Sequence, residues 1–307
     1  MSEPGDHLVR GLGLDGRVRA VATDTTAVAR ELRRIHQPTR TVTTALGRLA
    51  TGALLLAGSL EKVTRREPVL TLEMDGGGPA GRIFATASPA GWVRAFVANP
   101  KATVAPTGDG RLDVGGVIGR DGHLSVTRDL GTGRPYRGVV PLFTGEVAKD
   151  LAWYLTESEQ SPAAVVLSVS VERNGEVSAA SGLLLQLLPG VSEDEARDLT
   201  ERVERLGSLA ETGGGPSQWL GSLFPEGFDN VETTPVEFRC GCSKDRVLSA
   251  LKLIGAREVG GLLRDAERGT PAVLTCEFCR TPYEVSTGEL RAVLDEIVAA
   301  RLRAAVN

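Results

Sequence analysis

The first sixty residues combine one short apolar stretch with two runs of apolar positions at helical spacing. Residues 18–22 are typical of a strand, and the spacing of apolar positions in residues 27–35 predicts a helix that ends at His36. We interpret His36 as a charge at the helix C-terminus and not as a metal ligand. A second helix is predicted from about residue 39 to residue 62. Small residues along this helix indicate close packing inside a core: Gly47, Gly52 and Gly58.

Between residues 68 and 126 the pattern changes to short apolar runs separated by glycine-rich breaks. These runs predict β-strands at residues 69–72, 82–85, 92–97 and 125–126. Three glycines at positions 76, 78 and 81 satisfy the spacing G-x-G-x-x-G after a strand. A dinucleotide site needs a helix after the third glycine, whereas the residues that follow here are strand-like. We therefore interpret the glycines as a hairpin turn and predict no nucleotide site.

A helix is predicted from residue 150 to residue 160, and a β-hairpin follows it. The hairpin joins residues 165–171 to residues 177–188 through the turn signal Asn174-Gly175. Glu157 and Glu159 are two residues apart, so on a helix they do not face each other as a catalytic pair would. This alternation of helices and strands predicts an N-terminal α+β domain, residues 1–188, with a mostly antiparallel sheet.

Residues 189–236, called the acidic linker below, have a different pattern. Ser192 and Glu195 form a capping box at the start of a helix, and Gly213-Gly214-Gly215-Pro216 separates it from a second short amphipathic piece. Ten acidic residues and three arginines give residues 192–232 a net charge of −7. A narrow apolar stripe must dock on another surface to hold these helices: Ala196, Leu199, Val203, Leu206, Leu209, Trp219, Leu220, Leu223 and Phe224. An ordinary inter-domain linker would have the same composition, so both interpretations stay open.

Four cysteines are the whole cysteine content of the 307 residues, and they form two close pairs. Cys240 and Cys242 are followed, after thirty-three residues, by Cys276 and Cys279. Two close thiol pairs are typical of a tetrahedral four-sulfur zinc site. A thioredoxin-type redox pair would need a strand before it and a helix after it, whereas Cys276 and Cys279 fall between two short predicted strands. Structural disulfides would require an export signal.

The zinc domain is predicted to span residues 237–307 and to contain three helices and the hairpin with the second cysteine pair. At this size a single core rarely supplies more than about 3 to 5 kcal/mol. Structural zinc contributes on the order of 10 to 16 kcal/mol in small zinc-finger peptides, so metal loss is predicted to unfold the domain. Basic residues beside the cysteines either offset the negative charge of four thiolates and one Zn²⁺ or form a solvated surface: Arg239, Lys244, Arg246 and Arg280.

Charge and composition exclude several classes of partner. The chain has 35 Lys and Arg against 39 Asp and Glu, and this net charge of −4 does not suit binding to a phosphate backbone. No apolar run approaches the length of a membrane span, and residues 1–19 do not resemble a secretory signal. We therefore expect a cytoplasmic protein without nucleic-acid, nucleotide or membrane partners.

The cysteine motif resembles the C-terminal domain of the heat-shock protein 33 family of redox-regulated holdase chaperones. The similarity rests on residues 238–247 (FRCGCSKDRV), the second cysteine pair and Tyr283. It extends in the family's order to residues 134–142 (RPYRGVVPL), 158–162 (SEQSP) and 182–190 (GLLLQLLPG), so it covers effectively the whole chain. Gly241 departs from the polar residue expected between the first two cysteines.

This resemblance implies an ATP-independent chaperone and not an enzyme. Its metal ligands would be Cys240, Cys242, Cys276 and Cys279, with one Zn²⁺ per chain in the reduced, inactive form. Oxidation would form the disulfides Cys240–Cys242 and Cys276–Cys279, release zinc, and melt the zinc domain and the acidic linker. The active form would be a homodimer that holds unfolded client proteins.

Two other classes of protein remain open at this point. One is an enzyme with a purely structural zinc site, although we find no nucleophile and base arranged for catalysis. The other is a zinc-ribbon adaptor that binds its partners regardless of oxidation.

Overall fold

The computed structural model describes residues 5–60, 67–212 and 215–306, with side chains described except in 207–212 and 302–306. Within these residues the strands are β1 (His7–Gly13), β2 (Val18–Asp24), β3 (Val69–Gly77), β4 (Ile83–Ala87), β5 (Trp92–Val97), β6 (Gly119–Asp129), β7 (Tyr136–Pro141), β8 (Ala163–Val171), β9 (Val177–Leu187), β10 (Phe228–Pro235), β11 (Glu237–Phe238), β12 (Ala272–Thr275) and β13 (Pro282–Val285). The helices are α1 (Thr26–His36), α2 (Arg40–Gly58), α3 (Val114–Ile118), α4 (Val147–Glu157), α5 (Glu193–Thr212), α6 (Pro216–Leu223), α7 (Lys244–Ile254), α8 (Ala256–Glu267) and α9 (Thr287–Val306).

The chain forms two compact units, Met1–Arg239 and Cys240–Asn307. Helices and mostly antiparallel sheets occur in the first unit, and a small helical unit contains the four cysteines, so the predicted α+β class is confirmed. Helices α5 and α6 and strand β10, which come from the acidic linker, belong to the first unit. The three domain boundaries drawn from the sequence stay predictions.

The first unit consists of two sheets with helix α2 between them. Its described strands pair in the orders β10-β1-β2-β9-β8 and β11-β5-β4-β3-β6-β7. Neighbouring strands are antiparallel except β11 and β5, which are parallel. Helix α2 contacts strands of both sheets. The close packing expected of its glycines is confirmed, because a Cβ on Gly52 would lie 2.5 Å from Leu151 Cδ1.

Helix α2 is long and apolar enough to cross a membrane by length and composition alone. However, 94% of its apolar window is buried inside the protein, so it is a core helix of the first unit. It ends at Gly58, four residues before the predicted end, and residues 61 and 62 of that prediction lie outside the described residues. His36 ends α1 as predicted, but its ring is buried and Nε2 lies 3.1 Å from Ala95 O, which makes it a core group.

Gly76 lies near the end of β3, and Gly78 and Gly81 lie in the turn between the antiparallel strands β3 and β4. Strand β4 follows the third glycine, where a dinucleotide site would need a helix. The hairpin interpretation is therefore confirmed. The hairpin predicted around Asn174-Gly175 is also present, as the antiparallel pair β8 and β9.

Residues of strands β2 and β9 alternate between two cores because successive side chains of a strand point to opposite faces. Val21 and Leu184 belong to the core around α2. The opposite face packs against α5 and α6. It is formed by Val9, Val18, Ala20, Ala22, Leu183 and Leu185, and the helices bury Leu199, Val203, Leu206, Trp219, Leu220, Leu223 and Phe224 against it. The predicted stripe therefore docks on the first unit's own sheet; the side chain of Leu209 lies outside the described residues.

Helix α5 begins with the predicted capping box. Glu195 N donates to Ser192 Oγ at 3.3 Å, and Ser192 N donates to Glu195 Oε2 at 2.9 Å. The same carboxylate accepts a 2.7 Å hydrogen bond from Arg17 Nη1 at the β1–β2 turn. This contact fixes the start of α5 to the sheet on which the helix docks.

The second unit packs α7, α8 and α9 around the hairpin of β12 and β13. Ser243 caps α7, because its Oγ accepts from Arg246 N at 3.3 Å. The described core of the second unit is small and comprises Leu251, Val259, Ala272, Val285, Leu290, Val293 and Ile297.

Candidate metal centre

The two cysteine pairs lie on two short backbone segments of the second unit. Cys240 and Cys242 precede the capped start of α7. Cys276 and Cys279 lie in the turn between β12 and β13, as the sequence predicts. Two backbone hydrogen bonds close that turn: Arg280 N donates to Cys276 O at 2.8 Å, and Cys276 N donates to Thr281 O at 3.0 Å. Arg280 adopts a left-handed backbone with φ of 58° to complete it.

All four Sγ atoms lie within 4.8 Å of one another. Cys240 Sγ is 3.7 Å from Cys276 Sγ, and Cys242 Sγ is 3.3 Å from Cys279 Sγ. Zinc–sulfur bonds of about 2.3 Å in a tetrahedron require sulfur–sulfur separations of about 3.8 Å. The sulfur set therefore fits a tetrahedral metal ion, and the thiols are free and half-buried.

Two hydroxyl groups contact the sulfurs, and reasoning from the sequence did not identify either contact. Tyr283 Oη donates to Cys242 Sγ at 3.0 Å, and Thr281 Oγ1 lies 3.2 Å from Cys279 Sγ. Tyr283 is placed by its register on β13 opposite Leu274 of β12. A tyrosine four residues after the second cysteine pair was the only signal in the sequence that pointed to this contact.

The thiols differ in their tendency to ionise without a metal. Burial raises the pKa of Cys240 to about 12 and also raises the pKa of Cys276. Burial acts in the same direction on Cys279, but hydrogen bonds with Thr281 and with the neighbouring sulfurs outweigh it and lower its pKa to about 7. The hydrogen bond to Cys242, followed by burial, raises the pKa of Tyr283 to about 12. A metal bound to these sulfurs would hold them as thiolates.

The basic residues near the cysteines contact carboxylates and a carbonyl group. Lys244 Nζ lies 2.8 Å from Glu289, Arg280 lies 3.3 Å from Glu277, and Arg246 Nη1 donates to Gly241 O at 2.6 Å. In the first unit, Arg239 lies 3.6 Å from Glu67 and has its guanidinium carbon 5.3 Å from the centre of the Trp92 ring. These contacts favour the interpretation of a solvated charged surface over direct compensation of thiolate charge.

Gly241 has an ordinary backbone conformation and some space around it. A Cβ at this position would meet only the end of the flexible Arg246 side chain, at 3.1 Å. The fold of this turn therefore does not require glycine between the first two cysteines.

Comparison with known proteins identifies the family. The family model described as Hsp33 protein matches residues 6–286. The 33 kDa chaperonin of Syntrophotalea carbinolica is 42% identical over 295 residues, covering 94% of this chain and 99% of that protein. The 33 kDa chaperonin of Pelobacter propionicus is 39% identical over 303 residues, with 97% of each chain covered.

A solved structure extends the similarity to the whole fold. The crystal structure of the 33 kDa chaperonin (heat shock protein 33 homolog) of Thermotoga maritima matches with a TM-score of 0.85 at 29% identity, covering 96% of this chain and all of that one. Both the sequence matches and this structural match include the acidic linker and most of the cysteine-containing unit. The chain therefore belongs to the Hsp33 family.

Proposed function

We propose that this protein is a redox-regulated, ATP-independent holdase that binds unfolding proteins when its four cysteines are oxidised. Membership of the Hsp33 family supports a chaperone function. The single observation that carries the redox part is the cluster of four free sulfurs within 4.8 Å. The four sulfurs of such a cluster can bind a metal ion, and the same four sulfurs can be oxidised.

In the reduced form, Cys240, Cys242, Cys276 and Cys279 would hold one Zn²⁺. The ion, when bound, supplies the cross-link that the small second unit needs for stability. Only seven described hydrophobic side chains are buried in that unit's core, and at this size a core alone rarely gives more than about 3 to 5 kcal/mol. Four sulfur ligands also complete a tetrahedral site, which leaves no open position for a substrate and agrees with a protein that is not an enzyme.

Oxidation of each cysteine pair would take place in two chemical steps and would remove two metal ligands. One cysteine sulfur attacks hydrogen peroxide, breaks its O–O bond and becomes a sulfenic acid. The second sulfur of the pair attacks that sulfur, forms the disulfide and releases water. Each pair thus consumes one peroxide and gives one disulfide and two waters, counted from two thiols. Two disulfides leave no thiolate to hold a metal ion.

We propose that the disulfides join Cys240 to Cys242 and Cys276 to Cys279, as the family resemblance implies. In the folded unit, sulfur contacts also run between the pairs, at 3.7 Å from Cys240 to Cys276 and 3.3 Å from Cys242 to Cys279. However, a bond of about 2.05 Å must form while the unit loses its fold. Once unfolded, cysteines two or three residues apart remain close, whereas closing a loop of about 36 residues costs entropy.

Unfolding of the second unit would affect the docked helices α5 and α6 through the segment that joins α6 to Cys240. That segment contains β10, an edge strand whose residues are mostly exposed. We propose that unfolding beyond Cys240 allows β10 to separate from β1. The apolar stripe of α5 and α6 would then leave the sheet.

The docking of α5 and α6 has features of a weakly held interface. The rest of α5 is strongly charged, and a single apolar stripe attaches it to the sheet. Trp219 Nε1 is buried there without a hydrogen-bond partner among the described residues. A buried donor left unsatisfied costs about 1 to 3 kcal/mol, which favours a transition to the undocked state.

Undocking would expose two apolar surfaces at once, and we propose that both hold clients. One is the stripe of α5 and α6, and the other is the sheet face formed by β1, β2 and β9. Contiguous exposed apolar surface binds the apolar segments that unfolding proteins present. We further propose a homodimer as the active form, a cytoplasmic location, and no nucleotide requirement.

The experiment compares the reduced, zinc-loaded protein with the peroxide-oxidised protein. Light scattering of a heat-unfolding test protein reports holdase activity, and a chelating dye reports zinc release. We expect suppression of aggregation only after oxidation, with release of about one zinc per chain. Mass spectrometry of the oxidised chain identifies the disulfides. Equal suppression by both forms, or retained zinc without suppression, would instead favour a structural zinc site in an adaptor protein.

A further inference from the structure

Two glycines of β1, Gly11 and Gly13, lie on the face of the first sheet that packs against α5 and α6. They alternate along the strand with Val9, which belongs to the apolar cluster on that face. Neither glycine has a positive φ, so the backbone of β1 does not require glycine at either position. Glycine inside a strand weakens the strand and commonly marks a place where another group approaches closely.

The group that approaches Gly13 is an aromatic ring of the acidic linker. A Cβ on Gly13 would collide with the Phe224 ring, and the three atoms nearest to that Cβ all belong to this ring. A Cβ on Gly11 would lie 2.6 Å from the Phe228 ring and also 2.6 Å from Asp229 O. Gly11 therefore gives space to a ring and to the backbone of β10, whereas Gly13 gives space to a ring alone.

The two glycines form part of a shallow apolar depression on the sheet. Val18 of β2 lies opposite Gly13, and Ala20 lies opposite Gly11, so all four residues share one face. Val18 and Ala20 are fully buried in the same cluster as Phe224. These four residues are called the glycine trough below. A flat ring contacts such a surface along its whole face, whereas a branched aliphatic side chain touches it with fewer atoms.

We propose that the glycine trough selects aromatic side chains of the unfolding proteins that the oxidised chain holds. This inference rests on the proposed function, in which α5, α6 and β10 leave the sheet, and adds a preference for one class of client segment. In the docked form Phe224 and Phe228 occupy the trough, so the chain's own segment shows which side chains fit it. The occupant after release is an extended apolar segment of an unfolding protein that carries aromatic side chains.

Separation of β10 also opens the edge of β1 beside the glycine trough. In the docked form β10 is the end strand of its sheet and pairs with β1 from His7 opposite Pro235 to Gly13 opposite Phe228. Without β10, the backbone N–H and C=O groups of β1 are free to pair with another extended segment. Main-chain hydrogen bonds of this kind give affinity, and the sites for alternate side chains give specificity.

Fluorescence anisotropy with two labelled peptides tests the preference on the unaltered, full-length protein. One peptide has the sequence of residues 224–235, FPEGFDNVETTP, and the other has leucine in place of both phenylalanines. The two peptides have the same length and the same charge. We expect the peroxide-oxidised protein to bind the phenylalanine peptide about three- to tenfold more tightly than the leucine peptide. The reduced, zinc-loaded protein, whose own rings fill the trough, should bind neither.

The variant G13A tests whether the glycine trough is the site of this preference. Its methyl group occupies the space of the Phe224 ring, so the oxidised variant should bind the phenylalanine peptide no more tightly than the leucine peptide. G133A is the matched control, because nothing lies within 4 Å of the added Cβ, and it should keep the preference. If G13A does not fold, the comparison of the two peptides on the unaltered protein still decides.

Equal affinity of the oxidised, unaltered protein for the two peptides would overturn the inference. Equal binding of the phenylalanine peptide by the reduced and oxidised protein would also overturn it, as would an unchanged preference in folded G13A. Light scattering of a heat-unfolding test protein is measured separately. Suppression of aggregation without a peptide preference refutes the role of the trough and leaves the holdase function standing. A peptide preference without suppression refutes the proposed function and leaves the aromatic preference standing.

Discussion

The ring of Phe224 stacks on the ring of Phe228, with centroids 5.4 Å apart and planes inclined by 15°. Phe224 follows the last residue of α6, and Phe228 is the first residue of β10. The pair therefore connects the docked helices to the strand that leads towards Cys240. Both rings lie over glycines of β1, because a Cβ on Gly13 would collide with Phe224 and one on Gly11 with Phe228.

Removal of this stack should release the helices without oxidation. In F228A we expect the docking of α5 and α6 to weaken by about 1 to 3 kcal/mol, from lost apolar burial and lost ring stacking. The reduced variant should bind a hydrophobic dye and exchange the amide hydrogens of α6 faster than the unaltered protein. V231A is the matched control, because that side chain on the same strand is 55% exposed. Unchanged exchange in F228A would show that β10 does not hold the helices.

The capping carboxylate of α5 should titrate far below an ordinary glutamate. Hydrogen bonds from Arg17 and then from Ser192 lower the pKa of Glu195 from 4.5 to about 2. A lowered pKa in the folded state means that the stabilisation is present above pH 4.5 and is lost as the pH falls towards 2. The Ser192 amide signal in an NMR titration should follow this transition. E195Q should abolish it, and E201Q, which changes an exposed residue of the same helix, should preserve it. A midpoint near 4.5 would contradict the described contacts.

Replacement of one cysteine should abolish metal binding by the second unit and unfold that unit. In C276S we expect less than one zinc per chain by elemental analysis and loss of the second unit's NMR dispersion, since structural zinc supplies about 10 to 16 kcal/mol in small zinc domains. E277Q alters the same turn without changing a sulfur and should retain zinc. Iron in place of zinc in the purified protein, or a folded C276S unit without metal, would refute the proposed role of the ion.

The backbone of the segment before Cys240 passes so close to Gly91 that only glycine fits at this position. A Cβ there would lie 1.9 Å from Pro235 O, and the φ of 91° is itself unfavourable for other residues. G91A should displace Pro235, break the hydrogen bond from Glu237 N to Gly91 O, and destabilise the first unit by at least about 2 kcal/mol. Thermal unfolding measures the loss. G133A, where nothing lies within 4 Å of the added Cβ, should unfold as the unaltered protein does.

Local signals in the sequence predicted local features well. The capping box of Ser192 and Glu195 and the cap of α7 by Ser243 involve residues within a few positions of each other, so their spacing alone identifies them. The turn that holds Cys276 and Cys279 was predicted for the same reason, from the two apolar runs that flank it.

Features that depend on distant partners were missed. Strand β10 is mostly exposed and contains acidic residues, and its pairing with β1, more than two hundred residues earlier, makes it a strand. The stripe of α5 and α6 was recognised, but its docking surface was not, because alternate residues of β2 and β9 form that surface. The contact of Tyr283 with Cys242 likewise depends on bringing together residues 41 positions apart.

We propose that oxidation at the cysteines releases α5 and α6 from the sheet, and hydrogen exchange measures that release at the backbone of both helices. Peptides covering Glu193–Thr212 and Pro216–Leu223 are compared in the zinc-loaded and peroxide-oxidised protein, with β9 as the internal reference. Both helices should lose protection on the same timescale as zinc release, while β9, which packs against α2, should stay protected. Helices that stay protected after zinc has left would contradict it.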